Sequence, residues 1–303
     1  MQHWWSGGTF ARYYQTRIRY YCDNATYPVN VPLGLGHGMA AAQVDDNAPW
    51  SAGALFGRSG SGLHAGGPTS GSGLFNTFQV PFHRRINVTV SLGCTAQSHE
   101  RFWLILRGRT RARIVIPGGM ELPIAARLLS FEHSVTRLVP YASVPFLKVD
   151  RSSTAFTEGA VLFVTLTVRS PRHSFEFLEG CVRGGSGDDN SADDTHDWLL
   201  SSGTEDYFLG TFYFDRGQYF TPLAGVTSLC PAPKDGARRP ASFGCTSSTD
   251  GSVSFSAYRV HAGHDPLTFE AEGLELKWRN GEPGHGGAAT EVNASTFGLV
   301  YVW

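Results

Sequence analysis

The feature that most limits what this chain can become is a succession of short apolar or alternating runs, broken by glycine, proline and serine. Almost nowhere does a 3.6-residue period last long enough for a helix. Leu274-Glu275-Leu276-Lys277-Trp278-Arg279 alternates without a fault, as does Ile86-Asn87-Val88-Thr89-Val90-Ser91-Leu92. Alternation at a period of two marks a strand with one face buried. Residues 161–168, 252–261 and 297–303 add further strands, and 36 glycines and 16 prolines supply the punctuation. Residues 102–106 and 114–116 are unbroken apolar runs, which read as strands covered on both faces. Pro28-Val29-Asn30-Val31-Pro32 has a proline at each end and suits a sheet edge. The only stretch that reads as helix is residues 120–132, and residues 36–73 read as a long irregular loop. The expected class is all-β, a jelly-roll β-sandwich built as one unit or as two packed jelly rolls. A division near residue 140 separates residues 1–140, an N-terminal β-sandwich part, from residues 141–303, a C-terminal jelly-roll part.

Charge and composition remove several functions. Charged residues make up 17% of the 303-residue chain and the net charge is -1. That balance gives no electrostatic basis for nucleic acid or an anionic membrane, and no apolar run approaches the roughly 18 residues of a helical span. A neutral polar partner fits better, and aromatics at 13% suit either sugar stacking or a β core. The five cysteines, Cys22, Cys94, Cys181, Cys230 and Cys245, form no CxxC pair, so zinc spacing is absent. The acidic stretch over residues 184–197, with Asp188, Asp189, Asp193, Asp194 and Asp197, lacks EF-hand spacing and reads as a solvated loop or a weak calcium site. No GxSxG, phosphate loop or HExxH occurs. Neither a metal nor a cofactor is expected.

The least ordinary local chemistry is Ser202-Gly203-Thr204-Glu205-Asp206-Tyr207-Phe208, where a small-residue turn delivers two acids into an aromatic run. Read as a strand, it directs Glu205 and Tyr207 to one face and Asp206 and Phe208 to the other. A carboxylate among rings is partly desolvated, which moves it toward the working range of a general acid. A second acid, Glu179, closes the run Ser174-Phe175-Glu176-Phe177-Leu178-Glu179 on the face shared by Phe175 and Phe177. Two carboxylates across a sugar-sized cleft are the requirement of glycoside hydrolysis: one attacks or stabilises the anomeric carbon, and the other protonates the leaving oxygen. Tyr258, Arg259, His261 and Asp265 either line the same site or form a packed tyrosine beside a surface arginine and histidine. The expected sugar-binding set is Asp206, Tyr207, Tyr258, Arg259 and His261.

The runs Leu178-Glu179-Gly180, Gly203-Thr204-Glu205-Asp206-Tyr207-Phe208, Tyr258-Arg259-Val260-His261 and Asp265-Pro266 resemble those of the DUF2961 proteins, glycoside hydrolase family 172. So do Pro28-Val29-Asn30-Val31-Pro32-Leu33-Gly34 and Val80-Pro81-Phe82, and the likeness extends from about residue 9 to the end. The resemblance implies jelly-roll domains, homotrimers or homohexamers, and retaining cleavage of α-D-fructofuranosides or D-arabinofuranosides. It implies Glu179 as nucleophile and Glu205 as acid/base. It also implies a first β domain that begins before Met1, because family members carry sequence ahead of the segment like residues 10–21. Cys181-Val182-Arg183 departs from the acidic continuation of many relatives. The alternative is a non-catalytic carbohydrate-binding or oligomeric structural protein on the same scaffold.

Overall fold

A computed structural model describes residues 1, 3–8, 16–23, 25–38, 50–59, 73–91, 102–110, 113–116, 118–150, 155–171, 179–185, 198–210, 218–230, 253–261, 265–282 and 290–303. The first part of the chain gives β1 (His3–Gly8), β2 (Arg17–Cys22), β3 (Val29–Pro32), β4 (Trp50–Ala52), β5 (Phe56–Ser59), β6 (Gly73–Asn76), β7 (Ile86–Ser91) and β8 (Phe102–Arg107), then a short pair, β9 (Ile114–Val115) and β10 (Glu121–Leu122). Strands β11 (Arg127–Leu138), β12 (Ser143–Val149), β13 (Glu158–Ser170), β14 (Cys181–Gly185) and β15 (Trp198–Gly203) lead to α1 (Thr204–Tyr207). The chain ends through β16 (Tyr219–Phe220), β17 (Ala224–Cys230), β18 (Val253–Val260), β19 (Thr268–Glu270), β20 (Leu274–Arg279) and β21 (Val292–Val302).

From β11 onward the strands form nested antiparallel pairs: β11 with β21, β12 with β20, β13 with β18 and β14 with β15. The pairs are dealt onto two sheets, ordered β11-β21-β13-β18 and β12-β20-β14-β15. A long hairpin wrapped across two facing sheets in this way is a jelly roll. β17 and β16 extend the first sheet, and β19 adds to the end of β13. The expected all-β sandwich is thus the fold. The jelly roll starts at Arg127, however, and not near residue 141, because β11 is hydrogen-bonded to the last strand along its length.

The β11-containing sheet is the middle of three layers. One face packs Val164, Leu166, Phe255 and Val300 against Phe146, Val182, Leu276 and Trp278 of the four-stranded sheet. The other packs Phe163, Tyr258, Phe297 and Tyr301 against Trp4, Tyr20, Val31, Phe56 and Phe78 of the N-terminal strands. Double coverage explains the unbroken apolar run of β13, whose Ala160–Val168 positions are all buried. β20 shows the opposite case: Leu274, Leu276 and Trp278 are buried while Glu275, Lys277 and Arg279 between them are half-buried, as its alternation requires. β3 lies at the edge of the sheet β3-β2-β7, where its proline is tolerated.

Three local expectations are corrected. Residues 120–132 form β10 and the start of β11, since ladder bonding from Arg127↔Val302 to Leu138↔Val292 outweighs a modest helix preference. The supposed loop over residues 36–73 contains β4 and β5, which pair with each other, and β5 pairs in turn with β6. β8 is not covered on both faces: it is the outermost strand of the sheet β4-β5-β6-β1-β8, with Trp103, Ile105 and Leu106 exposed. Phe10-Ala11-Arg12-Tyr13-Tyr14, whose composition suits a short aromatic strand, lies outside the described residues.

Candidate active site

The two glutamates both lie beside one end of the β14–β15 ladder. Its last opposed pairs are Val182↔Ser202 and Cys181↔Gly203. Bonding then continues one residue further, where the Thr204 N–H donates to Gly180 O at 2.9 Å and the Thr204 hydroxyl donates to the same oxygen at 2.7 Å. Thr204 also accepts the Trp278 indole N–H at 3.1 Å, so its buried hydroxyl is used both ways. Glu179 and Glu205 are the residues next to this bonded pair, just outside the ladder. Both are half-buried, neither turned fully to solvent nor sealed in the core.

Gly180 permits this crossing. A Cβ there would overlap Arg279 O and lie 2.9 Å from Gly281 N, so only glycine lets the strand before Cys181 press against the end of β20. Glu179 lies in the short link ahead of β14; the rest of its expected strand, residues 172–178, is outside the described residues.

Glu205 does not stand on a strand. Thr204–Tyr207 make one turn of α-helix, closed by Phe208 N–H to Thr204 O at 3.2 Å and Gly210 N–H to Glu205 O at 2.8 Å. Helical rotation of about 100° per residue replaces strand alternation. Tyr207 and Phe208 therefore both enter the core, while Glu205 stays half-buried and Asp206 is exposed. The expected pairing of Glu205 with Tyr207 on one face is overturned. The aromatic residues that suggested a strand act as anchors: Tyr207 stacks on Phe146 at 6.2 Å, and Phe208 meets Phe146 and Phe255 edge-on at 6.5 and 6.1 Å. Residues 212–214 of that run are outside the described residues.

Behind α1 lies a polar cluster. Tyr207 OH and His261 Nε2 are 2.6 Å apart. Burial, and then the neighbouring Arg259 charge, push His261 down to about 4, and burial raises the Tyr207 hydroxyl well above its usual range. Both groups are consequently neutral near pH 7 and share one hydrogen bond. Arg259 bonds Asp265 through Nη2, and its guanidinium lies 6.0 Å from the Tyr207 ring centre. Its Nε and Nη1 are buried without a hydrogen-bond partner.

The expected sugar-binding set is accordingly split. Tyr207 and His261 are each 4% exposed and hold α1 in place from inside; they do not face a substrate. Tyr258 points to the other face of its sheet, donating to Thr221 O at 2.7 Å and packing against Phe56 with ring centres 5.2 Å apart. Alternation along β18 forces this separation of Tyr258 from Arg259. Asp206 alone of the set is exposed beside the glutamates.

Sequence reasoning missed Gly180, Thr204 and Trp278, and also a charged group on the outer face of the four-stranded sheet. There Arg279 bonds Glu282 at 2.7 Å, and Arg183 approaches the same carboxylate at 3.9 Å. Arg279 is opposite Cys181, two residues along the chain from Glu179. The alternation of β20 marked Arg279 as outward-facing, but only the pairing with β14 places it near the acids.

No cluster of three or more metal-ligating side chains occurs among the described residues. Residues 186–197 of the acidic stretch lie outside them. Cys22 and Cys181 are free thiols. No helix among the described residues is long and apolar enough to cross a membrane.

No protein-family model matches the chain, and no curated protein does. Among solved structures, a chain from "Structure of infectious bursal disease virus Gx strain" aligns at 8% identity over 99% of this chain, which spans 65% of the viral one. The TM-score is 0.14, a likeness too slight to carry any argument.

Proposed function

We propose that the chain is a retaining exo-furanosidase of the glycoside hydrolase family 172 type, acting on α-D-fructofuranosides or D-arabinofuranosides, with Glu179 as nucleophile and Glu205 as acid/base. One relationship supports the reading: Glu179 and Glu205 each adjoin the Gly180–Thr204 hydrogen bonds at the end of the β14–β15 ladder, and both are half-buried. Retention needs carboxyl groups about 5–5.5 Å apart, whereas inversion needs room for a water between them.

In this mechanism Glu179 attacks the anomeric carbon as Glu205 protonates the departing oxygen. Glu205 then takes a proton from the water that releases the glycosyl-enzyme. Gly180 and Thr204 set the spacing, and the buried Tyr207 and Phe208 fix the turn bearing the acid/base. The sugar stands as the partner, and the likeness that suggests the chemistry also suggests a homotrimer or homohexamer.

The test is hydrolysis of aryl α-D-arabinofuranosides and fructofuranosides, with NMR of the first-formed anomer. Retained configuration and losses of about a thousandfold in Glu179→Gln and Glu205→Gln are expected. Unchanged turnover in both variants rejects the assignment.

A further inference from the structure

α1 is a single helical turn of four residues with no side-chain cap at its start. So short a helix has no stability of its own. It is held from inside by the buried Tyr207 and Phe208. Whatever governs the space against Tyr207 therefore governs the turn that bears Glu205.

That space contains a charge. Arg259 is 9% exposed, its guanidinium lies 6.0 Å from the Tyr207 ring centre, and its Nε and Nη1 are buried without a hydrogen-bond partner. An arginine cannot shed its proton to relieve burial, as a lysine or histidine does. Tyr207, Tyr219 and His261 all feel this charge, and burial keeps all three neutral near pH 7. Among the described residues, one acid compensates it. Asp265 accepts from Arg259 Nη2, and the same oxygen, Oδ2, lies 3.7 Å from His261 Nδ1.

The two partners differ in exposure: the Asp265 side chain is 46% exposed and that of Arg259 only 11%. Loss of the arginine leaves a carboxylate that water can solvate. Loss of the acid's charge leaves an uncompensated cation inside the protein, which is the costly case. Its remedies are entry of water or displacement of a group that covers it. β13 and β17 flank Arg259 and are fixed by ladder bonding, at Val164↔Arg259 and Ala224↔Arg259. Beyond Thr204, α1 has no ladder to hold it, so α1 is what yields.

We propose that Asp265 is a latch: from the surface it holds the buried Arg259 charge against Tyr207, and loss of its negative charge opens the turn Thr204–Tyr207 while the sandwich stays folded. Solvent reaches Asp265 but hardly reaches Arg259, so the device is worked from the acid's side. The latch stands on this geometry alone. That its opening displaces an acid/base rests on the furanosidase reading.

Amide hydrogen exchange followed by NMR tests this. The Phe208 and Gly210 N–H groups close the turn on Thr204 O and Glu205 O. Both should exchange at least about tenfold faster in Asp265→Asn than in the wild type, while the Leu166 and Val300 amides of the middle sheet keep their protection. Arg259→Met removes the charge and keeps an apolar stem of similar length. Alone, and combined with Asp265→Asn, it should leave both turn amides within about threefold of wild type. A role of Asp265 confined to its own hydrogen bonds gives no such rescue. If Asp265→Asn does not fold, the double variant must, and its turn amides then carry the test. Equal exchange in Asp265→Asn and wild type overturns the proposal, as does equal acceleration at Leu166 and Val300. So does a double variant that exchanges as fast as Asp265→Asn or cannot fold. No substrate enters the measurement, so failure of the latch and failure of the furanosidase reading are told apart.

Discussion

Tyr207 and His261, 54 positions apart in the chain, share a buried hydrogen bond of 2.6 Å that ties the turn carrying Glu205 to the end of β18. Tyr207 lies two residues beyond Glu205 and inside the core, so the acid is positioned by groups that never meet a substrate. Tyr207→Phe keeps the ring contacts with Phe146 and leaves His261 Nε2 buried without its hydrogen-bond partner. The expected cost is about 1–3 kcal/mol, measured by urea unfolding. If the furanosidase proposal holds, kcat should fall while KM changes little.

Thr204 is the second fixed point. Its hydroxyl links Trp278 Nε1 to Gly180 O, so Thr204→Val leaves the indole N–H buried and unpaired and removes one of two bonds to Gly180 O. A loss of about 1–3 kcal/mol is expected, with Thr204→Ser close to wild type. Chemical denaturation of the three proteins side by side checks it; equal stability of valine and wild type would refute it.

Gly180 tolerates no side chain. The added methyl of Gly180→Ala would overlap the Arg279 carbonyl, a backbone group that cannot swing aside. The variant should be destabilised by more than about 3 kcal/mol or fail to accumulate as soluble protein. Gly119→Ala, at a position where nothing lies within 4 Å of the new Cβ, is the comparison. Its positive φ carries a cost of only about 1 kcal/mol.

Acid should weaken the fold through two buried histidines. His37 and His261 are each lowered from 6.5 to about 4, in both cases chiefly by burial. The unfolded chain therefore takes up protons that the folded chain refuses. Their stabilising effect is complete above about pH 6.5, declines as pH falls, and is gone below about pH 4. Each contributes about 3 kcal/mol across that window. Unfolding free energies at pH 7.5, 5.5 and 4.5 should show the decline, and a flatter profile is expected for His37→Gln.

Much of this was readable from residue order alone. The even alternation of residues 274–279 gave β20 its buried and outward faces, and the prolines around Val29 gave β3 its edge position. Gly-Thr-Glu-Asp-Tyr-Phe marked a turn that follows a strand. The aromatic run misled because Tyr and Phe favour strands on average, while here a single helical turn lets two consecutive rings enter the core. Tyr258 and Arg259 looked like one site because they are adjacent, yet neighbours on a strand face opposite ways. β8 read as doubly covered because an apolar run reports a strand's appetite for burial, not whether a partner is there to meet it.

What the sequence determined by itself was the all-β class, the face of most strands, and the residue types available for chemistry. These depend on periods of two and on local steric preference, which act within a few residues. Only the tertiary structure decided that Glu179 and Glu205 adjoin the same end of the β14–β15 ladder, that Tyr207 and His261 meet in the core, and that β8 is the last strand of its sheet among the described residues. Each of those facts is a register between segments far apart in the chain. Such a register is selected by cooperative ladder bonding and by burial on both sheet faces, a free energy that belongs to the assembled layers and to no single stretch of residues.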